Sequence, residues 1–269
     1  MDVEIRGVQA WPVPEITGVN RLFFREGSRL QTSGWNFRIQ AKRILSDGGV
    51  IESWPDGQTA ALNVVGRSGG KISIEADGGD GVLRVFARGE NGGAGLTGSA
   101  GGRGAKGPRG YNAEVRSERD CWSLMDSRLT TLPRIMREGP GHCSTHYYCS
   151  RETGDGGRGG QGVQGGRGTN GQPGGDAAEL QVLVHSDSSL QIVHESLPGR
   201  GGSGGAGGAG GPGGFGGDPG SRDSGERCRL AGFGPVGPPG LQGGSGDPGR
   251  SGSARPVCVS LGHSQVGDC

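Results

Sequence analysis

Hydrophobic and polar residues alternate along much of the first third of the chain, as in Ile72–Ile74 and Val82–Phe86. Because successive side chains of a strand point to opposite faces, this period of two predicts β-strands. Two Asp-Gly-Gly sequences, at 47–49 and 77–79, interrupt the pattern and are typical of turns. We therefore expect residues 1–88 to form a β-rich, sandwich-like domain.

Two later stretches are also poor in glycine. In 177–198, the alternation from Leu180 to Val184 and a following polar segment predict a β-hairpin. Residues 113–155 form an insert whose first part, Ser117 to Met136, could hold a short helix that Pro133 interrupts. Little α-helix is expected elsewhere in the chain.

Between these stretches glycine recurs at every third position. Glycine supplies 63 of the 269 residues, and only 30% of residues are hydrophobic, which is too few for one conventional core. A period of three is that of a polyproline-II-type helix, whose N–H and C=O groups have no partners within the helix and must bond laterally. The runs, numbered one to four, are Gly89–Gly110, Gly156–Gly174, Gly199–Gly220 and Gly234–Gly252.

Three arrangements can accommodate such runs: an intramolecular bundle, a collagen-like trimer, or flexible linkers. Collagen requires far more proline than run two contains, since Pro173 is its only proline. The runs are also similar in length, as expected of segments that fold back on one another. We therefore expect residues 89–254 to form a bundle of four antiparallel polyglycine-II helices, roughly 70 Å long.

If the runs alternate in direction, the remaining segments are sorted to two ends of this bundle. The insert 113–155 and the loop 221–233 would lie at the distal end. The hairpin 177–198 and the tail 255–269 would lie at the proximal end, beside the N-terminal domain.

The cysteine count is even, which is typical of a disulfide-bonded extracellular protein, although a reduced cytoplasmic protein remains the alternative. The alternating topology pairs Cys258 with Cys269 in the tail. It leaves two further bridges at the distal end, in any of the three possible pairings among Cys121, Cys143, Cys149 and Cys228.

Several large side chains outside the N-terminal domain would gather at the distal end. Aromatic residues on loops carried by a stiff support can form a recognition surface. Alternatively, they form a small satellite core held by the disulfides. The candidate binding residues are Tyr111, Trp122, Met125, Tyr147, Tyr148 and Phe233.

The sequence gives little support for a metal site, an active site, nucleic-acid binding or a membrane span. His142, Cys143, His146 and Cys149 could bind zinc, but their spacing fits no usual zinc finger and an oxidised protein favours disulfides. We therefore expect no metal, no cofactor and no catalytic residues. A formal charge of +1 disfavours nucleic acid as a partner, and no apolar stretch is long enough to cross a membrane. The first residues also lack the features of a signal peptide.

The runs, among them GENGGAGLT and GPVGPPGLQ, resemble those of polyglycine-II helix-bundle proteins and collagen-like bacterial surface proteins. They are similar at the repeat level to the glycine-rich tip adhesins of phage tail fibres. That resemblance implies a helix bundle whose distal loops, here 113–155 and 221–233, bind a receptor. The β-rich N-terminal region and the cysteines depart from it.

These features favour a non-enzymatic structural or adhesive protein at the cell surface, outside the cell, or on a phage particle. A rigid glycine-helix rod would present loops to a protein or glycan receptor, while the β-rich domain docks to a larger surface assembly. The alternatives are a purely structural subunit of a filament or envelope complex, or a collagen-like trimer.

Overall fold

The computed structural model describes residues 1–10, 14–122, 142–185, 188–262 and 264–267. None of these residues lies in a helix. They form the strands β1 (Asp2–Ile5), β2 (Val8–Ala10), β3 (Glu15–Phe24), β4 (Arg29–Gln31), β5 (Phe37–Glu52), β6 (Lys71–Arg88), β7 (Glu114–Trp122), β8 (His142–Arg151), β9 (Glu179–Val184), β10 (Ser189–Leu197), β11 (Val257–Leu261) and β12 (Ser264–Gly267).

The chain is divided into two compact units. Unit 1 comprises Met1–Ser99, Gly166–Gly208 and Gly243–Cys269, and unit 2 comprises Ala100–Gly165 and Ala209–Gln242. Strands β7 and β8 belong to unit 2, and the other strands belong to unit 1. Each unit also contains part of all four glycine runs.

The sheet of unit 1 is a stack of parallel strands built around β5 and β6, which are 16 and 18 residues long. The first part of β5 pairs with β3 and its last part with β4. Likewise, the first part of β6 pairs with β9 and its second part with β10. Strand β1 extends the stack beyond β3, β2 extends it beyond β4, and β11 extends it beyond β9. The long strands are therefore shared by two rows of shorter ones.

Aliphatic ladders that cross these parallel strands form the core of unit 1. Ile16, Ile39, Ile74, Val182 and Val259 occupy neighbouring register positions in five successive strands. Each of them is at most 5% exposed. Side chains in register on parallel strands point to the same face, so residues of similar shape stack on one another. Burial of each such side chain stabilises the fold by about 1.5–3 kcal/mol.

The two Asp-Gly-Gly sequences do not form the turns predicted from the sequence. Each lies inside a single strand, β5 or β6, and the pairing register between these strands shifts after Asp47. Gly48 has a φ of 76° and Gly81 a φ of 93°, conformations that glycine adopts at little cost. These glycines let each long strand pass from one row to the other without ending.

Residues 177–198 do not form the predicted hairpin. Strands β9 and β10 each pair in parallel with β6 and not with each other. The alternation that predicted a strand is present, because Leu180, Val182 and Val184 are all at most 1% exposed. The strand that pairs with β9 is β6 and not β10. A parallel pair needs a long connection, and the chain between β6 and β9 supplies one.

In unit 1 the glycine runs bond to one another through their backbones at every third residue. Gly95 of run one donates to the carbonyl oxygen of Ser203 in run three at 2.8 Å, and this bond recurs in a parallel register. Gly205 of run three donates to the carbonyl oxygen of Thr169 in run two at 2.8 Å, and this bond recurs in an antiparallel register. Lateral bonds therefore satisfy the backbone groups of segments that have no internal hydrogen bonds.

The segments in unit 2 follow the same rule. Gly104 of run one donates to the carbonyl oxygen of Pro212 in run three at 3.0 Å. Gly159 of run two donates to that of Pro235 in run four, also at 3.0 Å. Because these bonds join segments of one chain, they differ from the interchain bonding of a collagen trimer.

Run three uses both of its glycine edges for close approach. A Cβ on Gly204 would lie 2.0 Å from the carbonyl oxygen of Gly246 in run four. A Cβ on Gly205 would lie 2.0 Å from the carbonyl oxygen of Leu96 in run one. Neither position can hold a side chain unless the backbones move apart.

An ion pair between the buried Glu90 and the exposed Arg67 lies where run one begins. Glu90 is 2% exposed and accepts hydrogen bonds from the backbone N–H of Arg67 at 3.1 Å and from its Nε at 3.0 Å. The guanidinium carbon of Arg67 lies 4.3 Å from the centroid of the Trp54 ring. Burial raises the pKa of Glu90, but the bonds from Arg67 outweigh it and the net pKa is lowered.

The fold class expected from the sequence is wrong. We expected a sandwich-like domain at 1–88 and a separate bundle of four antiparallel polyglycine-II helices. Instead, no described residue is helical, and the main sheet is mostly parallel and takes in β9–β12 from the second half of the chain. Alternation within 1–88 could not show that strands from the second half of the chain join the same sheet. Strand pairing depends on where the chain returns and not on local periodicity.

Candidate functional site

The hairpin of β7 and β8 is the one antiparallel strand pair described in unit 2. Cys121 and Cys143 face each other in its register and form a disulfide. A second disulfide joins Cys149 of β8 to Cys228. The predicted presence of disulfides is thus confirmed, and it is compatible with an extracellular location. The proposed partner of Cys258, Cys269, lies outside the described residues.

The helix expected to begin at Ser117 does not form over residues 117–122, because β7 occupies Glu114–Trp122. The remainder of that predicted helix lies outside the described residues. The expectation rested on local propensity, which pairing with β8 overrides.

The segment 222–228 is held by its own polar groups. The carboxylate of Asp223 accepts hydrogen bonds from the backbone N–H groups of Cys228 at 3.0 Å and Gly225 at 3.1 Å. The bond from Cys228 is the main cause of a lowered pKa at Asp223. Arg222 donates from Nε to the carbonyl oxygen of Cys228 at 2.6 Å. The loop and the Cys149–Cys228 disulfide therefore fix one another's position.

Two tyrosines are exposed on β8. Tyr147 is 56% exposed and Tyr148 is 47% exposed. Because they are adjacent in a strand, they point to opposite faces of the hairpin. The guanidinium carbon of Arg227 lies 5.1 Å from the centroid of the Tyr147 ring, within the range of a cation–π contact. The ring of Tyr147 thus has a defined neighbour while much of its surface remains open.

Two more of the predicted residues are exposed in unit 2. Tyr111 has the guanidinium carbon of Arg151 5.5 Å from its ring centroid, and Arg151 also pairs with Glu114 at 2.6 Å. Phe233 is 75% exposed. The exposed residues Leu230 and Val236 lie three positions away on either side of Phe233, so they continue a regular edge that the sequence analysis did not single out.

The last two predicted binding residues are Trp122 and Met125, whose side chains lie outside the described part of the chain. Trp122 is the final residue of β7, and nothing is described of its side chain. Met125 lies outside the described residues. The four placed residues, Tyr111, Tyr147, Tyr148 and Phe233, are all exposed in unit 2, but Tyr147 and Tyr148 point to opposite faces of the hairpin and so do not form one continuous surface.

The basic edge of run one has partners within unit 2. Lys106 pairs with Asp218 at 2.6 Å, and Arg109 donates to the hydroxyl of Ser221 at 2.7 Å. The guanidinium carbon of Arg103 lies 4.2 Å from the centroid of the Phe215 ring. These contacts join runs one and three, so the basic side chains support the packing of the glycine segments.

A serine and a histidine meet on β8, where no candidate pair was recognised in the sequence. Ser144 Oγ lies 2.9 Å from His146 Nε2, and register places Asp120 and Glu118 opposite them on β7. Both residues are exposed on the strand surface. A nucleophile and a base need in addition donors for an oxyanion and a site that excludes water. An exposed strand surface does not exclude water from the Ser144–His146 pair.

One group of potential metal ligands occurs among the described residues: Cys149, Glu152 and Cys228. The two sulfurs in this group are bonded to each other in a disulfide. Since the thiolate is the form that binds a metal, this group does not fit a metal in the oxidised protein. The zinc alternative raised for Cys143 and Cys149 meets the same objection, because both are in disulfides.

No protein-family model matches the sequence, and no curated protein or solved structure is similar to it. In the part of the chain that the structure describes, no helix is long and apolar enough to span a membrane.

Proposed function

We propose that this chain is a non-enzymatic extracellular adhesive protein that binds a protein or glycan through the exposed tyrosines of the β7–β8 hairpin in unit 2. The observation that carries the proposal is the exposure of Tyr147 and Tyr148 on a hairpin tied by two disulfides. Large exposed aromatic side chains are costly to solvate and are enriched at recognition surfaces.

The immediate surroundings of the tyrosines favour recognition over a purely structural role. A satellite core would bury the rings, whereas Tyr147 and Tyr148 are each about half exposed. Tyrosine loses little conformational entropy on binding and offers both an apolar ring and a hydroxyl. Arg227 beside Tyr147, and Arg151 beside Tyr111, add charged donors that can bind carboxylate or hydroxyl oxygens of a ligand.

The disulfides supply the rigidity that such a surface requires. Cys149–Cys228 connects β8 to the loop that carries Arg227, so the stacked pair Tyr147–Arg227 is anchored on both sides. A surface ordered before binding loses less entropy when a ligand arrives. Stable disulfides also imply an oxidising compartment, which supports an extracellular location.

The test uses the oxidised full chain on two probes: an array of immobilised glycans and a panel of immobilised extracellular proteins. We expect the wild type to bind at least one of them and Tyr147→Ala or Tyr148→Ala to weaken that binding by tenfold or more, as for hot-spot residues. Leu183→Ala, an exposed position on β9 in unit 1, is the control and should leave binding unchanged. Equal binding by wild type and both tyrosine variants would contradict the proposal. Absence of wild-type binding to either panel would favour the purely structural alternative.

A further inference from the structure

Among the described residues, strand β10 has a strand partner on one edge only. All nine residues of Ser189–Leu197 pair with β6. In the other row of the stack, β9 has β11 beyond it, but β12 turns back against β11 and does not extend the row of β10. Among the described residues, none pairs with the outer edge of β10. The alternate backbone groups along this edge are therefore available to another strand.

This edge differs from the other strand edges of unit 1. Strands β1 and β2 are only four and three residues long, and β1 carries Asp2 and Glu4. Strand β10 is nine residues long and contains no proline, glycine or lysine. Natural proteins protect exposed edges by shortening them or by adding lysine, proline or bulges. A long edge without such protection is typical of a strand that is covered in the working protein.

The solvent side of β10 is partly apolar. Val193 and Leu197 are 48% and 49% exposed. In register Val193 and Leu197 lie beside Arg84 and Arg88 of β6, while the half-buried Val82 and Phe86 lie beside Gln191 and Glu195, so apolar and polar side chains alternate on this face. A strand added beside β10 would cover part of this face in addition to forming backbone bonds.

We infer that the occupant of this edge is a second copy of the chain, whose own β10 pairs antiparallel with the first across a two-fold axis at Val193. Val193 is the central residue of β10, so this register pairs all nine residues of each strand. It places Gln191 opposite Glu195 of the other copy, where an amide can donate to a carboxylate. The interface thus extends the sheet of each copy into the other.

The charges on β10 favour this register over its neighbours. With the axis at Val193, the two Glu195 carboxylates are about 14 Å apart along the strands. That separation exceeds the screening length of physiological salt. With the axis at His194, the two histidines would face each other and Val193 would lie opposite a glutamate. That register would replace the apolar Val193 pair by a valine opposite a carboxylate and would lose the Gln191–Glu195 pair, so it is less favourable.

A head-to-tail arrangement is less favourable on geometric grounds. It would join β10 of one copy to β2 at the opposite end of the same row in the next copy. Because β2 has only three residues, such a contact would leave most of β10 unpaired. The symmetric contact closes on itself and yields a dimer and not a filament.

The experiment measures the mass of the full chain by sedimentation equilibrium over a series of concentrations. The wild type should approach twice the chain mass of 27.3 kDa. Gln191→Glu places a glutamate opposite Glu195 twice in the interface and should raise the dimer dissociation constant on the order of tenfold. Gln191→Lys creates opposite-charge pairs at the same positions and should lower it. These opposite effects distinguish pairing from general loss of the fold.

Gln181→Glu is the matched control, because Gln181 is also exposed but lies on β9, which has partners on both sides. It should leave the dissociation constant unchanged. A monomeric wild type, a filament, or equal effects of Gln191→Glu and Gln191→Lys would overturn the inference. This test is independent of ligand binding by unit 2, so its outcome leaves the proposed function to be decided separately.

Discussion

The side-chain oxygen of Asn170 accepts a hydrogen bond from the backbone N–H of Asp247 at 2.9 Å. The two residues lie on runs two and four of unit 1. The N–H of Asp247 is not one of the glycine N–H groups that bond regularly between runs, and the side chain of Asn170 supplies its acceptor. Asp176 makes the equivalent bond to the N–H of Ser253, also at 2.9 Å. In unit 2, Asn112 and Asp155 accept in the same way from residues 221 and 232. Asparagine and aspartate therefore join parallel neighbouring runs.

The first prediction concerns this bond. Asn170→Ala removes the acceptor and should lower the free energy of unfolding by about 1 kcal/mol, measured by chemical denaturation. Asn170→Asp keeps an acceptor and should retain most of the stability. Gln164→Ala, at an exposed position of the same run, should have no measurable effect. Equal stability of Asn170→Ala and Gln164→Ala would argue against a role for the bond.

Close approach of run three to run four leads to the second prediction. Gly204→Ala should destabilise the fold by about 2 kcal/mol or more, because its Cβ meets a carbonyl oxygen and forces two backbones apart. Gly244→Ala is the control, since the nearest atom to its Cβ is Arg167 Cγ at 3.9 Å. Thermal unfolding followed by circular dichroism should show a lower midpoint for the first variant alone. A similar loss in both variants would contradict the proposed cause.

The two disulfides should differ in their contributions. Cys149–Cys228 spans 79 residues and Cys121–Cys143 spans 22. Because a longer loop loses more entropy on closure in the unfolded state, we expect losses of about 4.5 and about 3.4 kcal/mol when each pair is replaced by serine. Denaturation of the two double variants measures the difference. A greater loss on removal of Cys121–Cys143 would show that closure entropy does not set the order.

Stability should also fall in acid because of the ion pair between the buried Glu90 and the exposed Arg67. Burial alone would raise the pKa of Glu90, but hydrogen bonds from Arg67 lower it below its ordinary value. A group with a lowered pKa in the folded state contributes stability above its unfolded pKa and loses it as pH falls through the folded value. Glu90→Gln should therefore flatten the decline of stability below about pH 4.5.

The measurement for this pair is the free energy of unfolding over a pH series. Glu26→Gln, which changes an exposed carboxylate in a turn, serves as the control and should keep the wild-type pH profile. An unchanged profile in Glu90→Gln would mean that other carboxylates dominate the acid response.

Some features could be predicted from the sequence because they are local. Alternation at Leu180 and Val184 identified a strand with one buried face, which the structure places in β9. The period of three in glycine required lateral backbone bonding and bare edges for close approach, and Gly204 has both a near neighbour and no room for a side chain. In each case the pattern repeats within a few residues, so one segment is enough to indicate the local backbone structure and which of its edges or faces is buried.

Other features depended on the tertiary structure because they join distant segments. Alternation shows which face of a strand is buried, but not which strand lies beside it, so β9 and β10 were wrongly expected to pair with each other. Six cysteines allow many pairings, and only the folded chain brings Cys149 to Cys228. The exposure of Tyr147 beside Arg227 likewise depends on that disulfide and on the loop at 222–228. The sequence by itself thus determined the local periods and bare edges, whereas contacts between remote segments were decided by where the chain returns.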